Sequence, residues 1–189
     1  MSTDSIRERK DALRKQAHAN RNAQENKDEL SRRIVGAFMS LPEYAEADTV
    51  MFYIDVRSEV RTRNDLEQAL QSGKTIVVPW CNEAGELELF RLGSMQELEL
   101  GMYRILEPRT ELRGLPEKQV DVQELDLIMV PGVAFDRRGA RMGPQNGECL
   151  KNLVPVFASN HAKRRPVIPV HEDGTYVVDK NDLPLVAWF

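Results

Sequence analysis

Three features of this chain offer chemistry: cations repeating at a helical period, glycines interleaved with arginines, and a carboxylate just past a β-rich run. Arg7, Lys10, Arg14 and Arg21 lie at offsets of three, four and seven within residues 4–22, which puts them on one face of a continuous helix. Such a stripe suits a polyphosphate; with Glu8, Asp11 and Lys15 around it, it also suits a solvated face. Gly132, Gly139, Gly143 and Gly147 are spread through a stretch that also carries Arg137, Arg138 and Arg141 and leads toward a helix expected at 148–159. Unhindered backbone N–H groups and a helix N-terminus both present partial positive charge to an anion, so phosphate is the ligand class this stretch favours. An ordinary turn with solvated arginines satisfies the same pattern. It is not a Walker loop, because Gly147 is followed by Glu148 and Cys149, and no G-x-G-x-x-G occurs.

Glu59 follows an apolar run and is placed either to orient an amine or amide of a ligand or to cap Thr62. His18, His161 and His171 have no metal spacing, and no serine sits in a nucleophile elbow, so metalloenzyme and hydrolase readings find little support.

These residues need a frame. Helix-forming composition without Gly or Pro covers 4–22, and 27–41 places Leu30, Ile34, Phe38 and Leu41 at helical spacing, ended by Pro42. Thr49 to Ile54 is a short β-rich run, 62–72 is helical with Gly73 as its stop, and Lys74 to Pro79 is a second run. Strand, helix, glycine, strand is a βαβ unit, and runs apolar on both faces belong in a covered parallel sheet. Residues 86–91 alternate as an edge strand does, and Asp126 to Pro131 is the most apolar run, expected in the middle of the sheet. Near the end, Val167–Val170 and Thr175–Val178 read as strands joined by a hairpin turn at Glu172–Gly174. The expected fold is therefore α/β: a three-layer sandwich with a mostly parallel central sheet, Rossmann-like, formed by residues 1–189 as one domain. Ligands of such sheets bind beyond the carboxyl ends of the strands, where Glu59, Trp80 and Phe135 fall.

The bulk properties narrow the partners. Among 189 residues, 26 Lys and Arg face 30 Asp and Glu for a net charge of −4, which argues against a general nucleic-acid or anionic-membrane surface. No apolar stretch approaches the ~18 residues of a membrane span, and the charged N-terminus lacks an apolar signal segment, so a cytoplasmic protein is expected. Cys81 and Cys149 lie far apart with no metal or CxxC spacing, which supports neither a disulfide framework nor a zinc site.

In order and spacing the chain resembles the 5-formyltetrahydrofolate cyclo-ligase family. The resemblance rests on Lys10-Asp-Ala-Leu-Arg14, Arg21, Glu59-Val-x-Thr62, Gly73-Lys74-x-x-x-x-Pro79 and Gly101-x-x-x-Ile105-x-Glu107-Pro108. Most specific is Asp126-Leu-Ile-Met-Val-Pro-Gly-Val-Ala-Phe-Asp136 followed by Gly139-x-Arg141-Met-Gly143. It implies ATP- and Mg2+-dependent cyclisation of 5-formyltetrahydrofolate to 5,10-methenyltetrahydrofolate, with ADP and phosphate released. It also implies a small-molecule substrate without nucleic acid or membrane, and a monomer or weak homodimer is expected. On this resemblance Lys10, Arg14, Gly139, Arg141, Gly143 and Gly147 bind the nucleotide, with Arg141 and Lys151 catalytic. Glu59 holds the folate, and Tyr53, Trp80 and Phe135 are aromatic candidates for the pterin wall, along with Phe52; core packing explains these aromatics equally well.

The family's pattern departs at residues 144–189. Pro144-Gln-Asn-Gly-Glu-Cys-Leu-Lys151 stands where the family has further glycines and Gly-Tyr-Tyr-Asp-Arg, so Leu150 replaces a carboxylate able to hold magnesium, and the metal ligands are unknown. The family's C-terminal Ala-Phe-Asp strand is not recognisable here. A relative that binds folate or nucleotide without turnover is the alternative reading.

Overall fold

The computed structural model describes residues 3–101, 105–135, 141–142, 168–169, 176–177 and 186–188. Two helices open the chain, α1 (Thr3–Ala23) and α2 (Lys27–Met39), separated by Asn26 in the left-handed conformation at φ 55°. α2 buries Val35 and Phe38 completely. Pro42 does more than close the second helical segment: it sits in the first turn of a further short helix, α3 (Pro42–Glu46), where its missing N–H costs nothing.

The central sheet has five strands in the order β11-β6-β1-β2-β3. β1 (Thr49–Met51), β2 (Thr75–Cys81), β6 (Leu127–Val130) and β11 (Val186–Trp188) run parallel, and β3 (Leu87–Leu92) is antiparallel at the edge. The most apolar run lies inside the sheet, and the alternating one forms its edge, as expected. Among the described residues three further pairs are antiparallel: β4 (Leu98–Leu100) with β5 (Leu106–Pro108), β7 (Ala134–Phe135) with β8 (Arg141–Met142), and β9 (Ile168–Pro169) with β10 (Tyr176–Val177).

Period-two alternation sorts the strands between two cores. Val50 and Phe52, Ile76 and Val78, and Leu127 and Met129 join α2, α3 and the helix after β1 in the larger core. Met51, Val77, Ile128 and Val130 face the opposite way, toward Val120, Val122 and Leu125. Both faces of the parallel strands are thus buried, which explains runs without polar alternation. In the larger core Phe38 meets Tyr44 and Phe52 edge to face, with ring centres 5.5 and 5.3 Å away.

Two elements are shorter than the sequence implies. β1 ends at Met51 rather than Ile54, although Phe52, Tyr53, Ile54 and Asp55 stay buried. After one more parallel bond, from the Phe52 N–H to the Val77 carbonyl at 2.9 Å, the Tyr53 carbonyl accepts a 2.6 Å bond from the buried Thr62 hydroxyl. The same bond shapes the expected helix at 62–72, which is a 3-10 turn, Thr62–Asn64, followed by α4 (Leu66–Leu70). Gly73 stands at φ +80°, the left-handed stop its position predicts.

The tail departs from expectation more sharply. Val186, Ala187 and Trp188 pair with Ile128, Met129 and Val130 as a fifth strand that sequence patterning did not disclose. The hairpin pairing of the two preceding strands is as expected. The helix expected at 148–159 lies outside the described residues. Of the two cysteines, Cys149 lies outside the described residues.

Candidate active site at the carboxyl ends of the strands

β1 and β6 are neighbours in register, Val50 beside Leu127, so the segments following them emerge side by side. The one after β1 is a tight, fully bonded turn. Asp55, its carboxylate 2% exposed, binds Arg63 through Nε at 2.9 Å and Nη2 at 2.6 Å and also accepts from the Arg63 backbone N–H at 3.1 Å. Inside that clasp the Glu59 N–H donates to the Val56 carbonyl at 3.1 Å, and Glu59 Oε2 accepts from the Val56 N–H at 3.0 Å. This reciprocal closure places Arg57 at the exposed tip with φ +57°, a conformation a non-glycine residue adopts only when its surroundings impose it. The Tyr53 hydroxyl donates to the Val60 carbonyl at 2.9 Å, and the Arg61 N–H donates to the Ser31 hydroxyl of α2 at 3.0 Å.

α1 closes the site from the side. Its continuity from Thr3 to Ala23 confirms that Arg7, Lys10, Arg14 and Arg21 share one face, within an arc of about 60° at 100° per residue. The Arg21 guanidinium donates to the Gly132 carbonyl just past β6, and α1 packs against β7. Lys10 is exposed; Arg14 is half-buried and paired with Asp11 at 2.7 Å. Arg141 lies in β8 directly across from Phe135 of β7, so the backbone of the glycine-arginine stretch returns to the end of the molecule where the α1 stripe is moored. Gly139, Gly143, Gly147 and Lys151, and the side chains of Phe135 and Arg141, fall outside the described part of the structure.

Charge is unevenly distributed here. Burial pushes the Glu59 carboxyl above the ordinary carboxylate range; the Val56 N–H and Arg21 oppose this, and Asp55 adds to it. Burial likewise raises the Tyr53 phenol well above its usual value, helped by Glu59 and Asp55 and opposed by Arg21. Tyr53 and Glu59 thus share the opposing fields of Arg21 and Asp55.

The aromatic candidates separate. Phe52 is in the core, and Tyr53 is 2% exposed with its hydroxyl committed to Val60, so it braces the turn from beneath. Trp80 is half-buried near the end of β2, and the Arg113 guanidinium lies over its ring at 4.6 Å. Arg113 is held by the Pro108 carbonyl at 2.7 Å and Glu107 at 3.2 Å. Gly101 permits this, since a Cβ there would lie 2.5 Å from the Glu107 carboxylate. Sequence reasoning missed Arg63, Ser31 and Arg113, because each acts across a turn or between elements where no periodicity links the partners. Among the described residues no group of three or more His, Cys, Asp and Glu side chains is placed to hold a metal ion.

Known proteins point the same way. The sequence profile of the 5-formyltetrahydrofolate cyclo-ligase family matches residues 4–169. The chain is 32% identical over 122 residues to a probable 5-formyltetrahydrofolate cyclo-ligase of Schizosaccharomyces pombe, a match covering 64% of this chain and 58% of that protein. It is 27% identical over 166 residues to the 5-formyltetrahydrofolate cyclo-ligase of Escherichia coli K12, covering 87% and 85%. The solved 5,10-methenyltetrahydrofolate synthetase of Aquifex aeolicus superposes with a TM-score of 0.65 at 31% identity, over 77% of this chain and 72% of that one. The synthetase of Mycoplasma pneumoniae, 18% identical, shares the fold at a TM-score of 0.58 over 94% and 96%. The family profile spans most of the chain: the chain belongs to the 5-formyltetrahydrofolate cyclo-ligase family.

Proposed function

We propose that this chain catalyses the ATP-dependent closure of 5-formyltetrahydrofolate to 5,10-methenyltetrahydrofolate, releasing ADP and phosphate. The observation that carries the reading is the bond from Arg21 to the Gly132 carbonyl, which moors the cationic face of α1 beside the turn that holds Glu59. ATP, when bound, supplies the phosphoryl group that turns the formyl oxygen into a leaving group. Lys10 and Arg14 meet its phosphates, an assignment that fits cations aligned on one helix face and open to solvent at Lys10. Arg141 joins them from β8, and Gly139, Gly143, Gly147 and Lys151 complete the nucleotide loop in this reading.

Glu59 accepts hydrogen bonds from the pterin's amino and ring N–H donors and so orients the folate with N10 facing the formyl carbon. Little covalent help is needed from the protein, since the reaction asks for alignment and neutralised phosphate charge. Magnesium accompanies the nucleotide in this proposal, with no ligands assigned to it. The protein is read as a cytoplasmic monomer or weak homodimer acting on small molecules. Appearance of the methenyl product, followed by its near-ultraviolet absorbance with ATP, magnesium and 5-formyltetrahydrofolate, tests the reading. Ligand binding without turnover would overturn it in favour of a non-catalytic relative.

A further inference from the structure

The salt bridge between Asp55 and Arg63 is more elaborate than turn closure requires. Two guanidinium nitrogens and one backbone N–H converge on a carboxylate almost sealed from water, and the Arg63 Nη2 also reaches the Asp55 carbonyl at 3.3 Å. A buried carboxylate four residues from Glu59, within the same bonded turn, is a like charge that adds to the cost that burial already sets on ionised Glu59. The charged and titratable groups whose fields reach Glu59 are Arg21 from α1, and Tyr53 and Asp55 from the segment after β1. Arg21 is already committed to the Gly132 carbonyl. Arg63 is the cation in direct contact with Asp55.

We propose that Arg63 is a positioning residue for folate recognition: by clasping Asp55 it fixes the 55–63 turn and offsets part of the Asp55 charge, which holds the Glu59 carboxylate in place toward the substrate. This rests on the reading of Glu59 as the folate-binding carboxylate.

Arg63→Ala leaves Asp55 uncompensated. The KM for 5-formyltetrahydrofolate should then rise about 10-fold at neutral pH, the effect of weakening one charge-assisted contact, with the KM for ATP unchanged. The pH below which that KM deteriorates should move up by on the order of one unit, because an unscreened like charge favours protonated Glu59. Adding Asp55→Asn to Arg63→Ala removes the offending charge and should return the pH midpoint toward that of the unmodified protein; Arg63→Lys should restore part of it. The titration of the Glu59 carboxyl carbon, followed by NMR in the ligand-free protein with Glu59→Gln for assignment, reads the electrostatic effect without the substrate. If that titration and the pH profile stay put in Arg63→Ala while only the melting temperature falls, Arg63 is merely structural and the inference is overturned. If the titration moves but Glu59→Gln leaves folate affinity intact, the reading of Glu59 itself fails.

Discussion

At the scale of single residues, the turn after β1 sets a half-buried carboxylate, Glu59, beside a buried one, Asp55, with the cations of α1 alongside. Glu59 is ionised at a cost, since burial favours its neutral form. Its contribution to folding is accordingly greatest where it is protonated, and it declines as pH rises from the ordinary carboxylate value through its own elevated one. Glu59→Gln should therefore make the ligand-free protein more stable at neutral pH, a gain that fades in acid, while raising the KM for folate and leaving that for ATP nearly alone. Thermal melts at several pH values and steady-state kinetics check the two halves separately. The α1 cations carry the reciprocal expectation: Lys10→Ala and Arg14→Ala should each weaken ATP more than folate, by about 10-fold for a lost charge-assisted phosphate contact, as titrated by calorimetry.

At the scale of elements, the segment from Leu98 to Arg113 shows how a small motif supports a distant side chain. Gly101 leaves room for the Glu107 carboxylate, Glu107 holds Arg113, and Arg113 covers Trp80. Gly101→Ala should push Glu107 off its partner and loosen Arg113, lowering stability by about 1 kcal/mol and shifting the emission of Trp80, read in a Trp188→Phe background. Phe38→Ala, which removes a wholly buried ring from the Phe38, Tyr44 and Phe52 cluster, should cost far more, about 3–5 kcal/mol by denaturant titration.

This scale also shows what the sequence discloses. Helical spacing in α1 and α2, the left-handed glycine at 73 and the apolar runs of β1, β2 and β6 are legible because each depends on near neighbours. The early end of β1 is not, because it is dictated by the Thr62 hydroxyl nine residues away. The alignment of Arg7, Lys10, Arg14 and Arg21 on one face of α1 is likewise legible from spacing, whereas the partners of Arg63 and Arg113 are brought close only by the folded backbone.

At the scale of the whole molecule, fold class follows from the order of the elements, and the expected mostly parallel, covered sheet is what forms. The last strand was beyond reach, since Val186, Ala187 and Trp188 are too few to show a period. Its placement has a practical side. β6, wholly apolar and buried, is flanked among the described residues on one side by β1 and on the other by those three residues. Clipping residues 186–188, by a premature stop codon or a careless protease step, would bare a greasy ribbon of open amides to every neighbour in solution. Such a shortened product should precipitate during purification, and an affinity handle is safer at the opposite terminus.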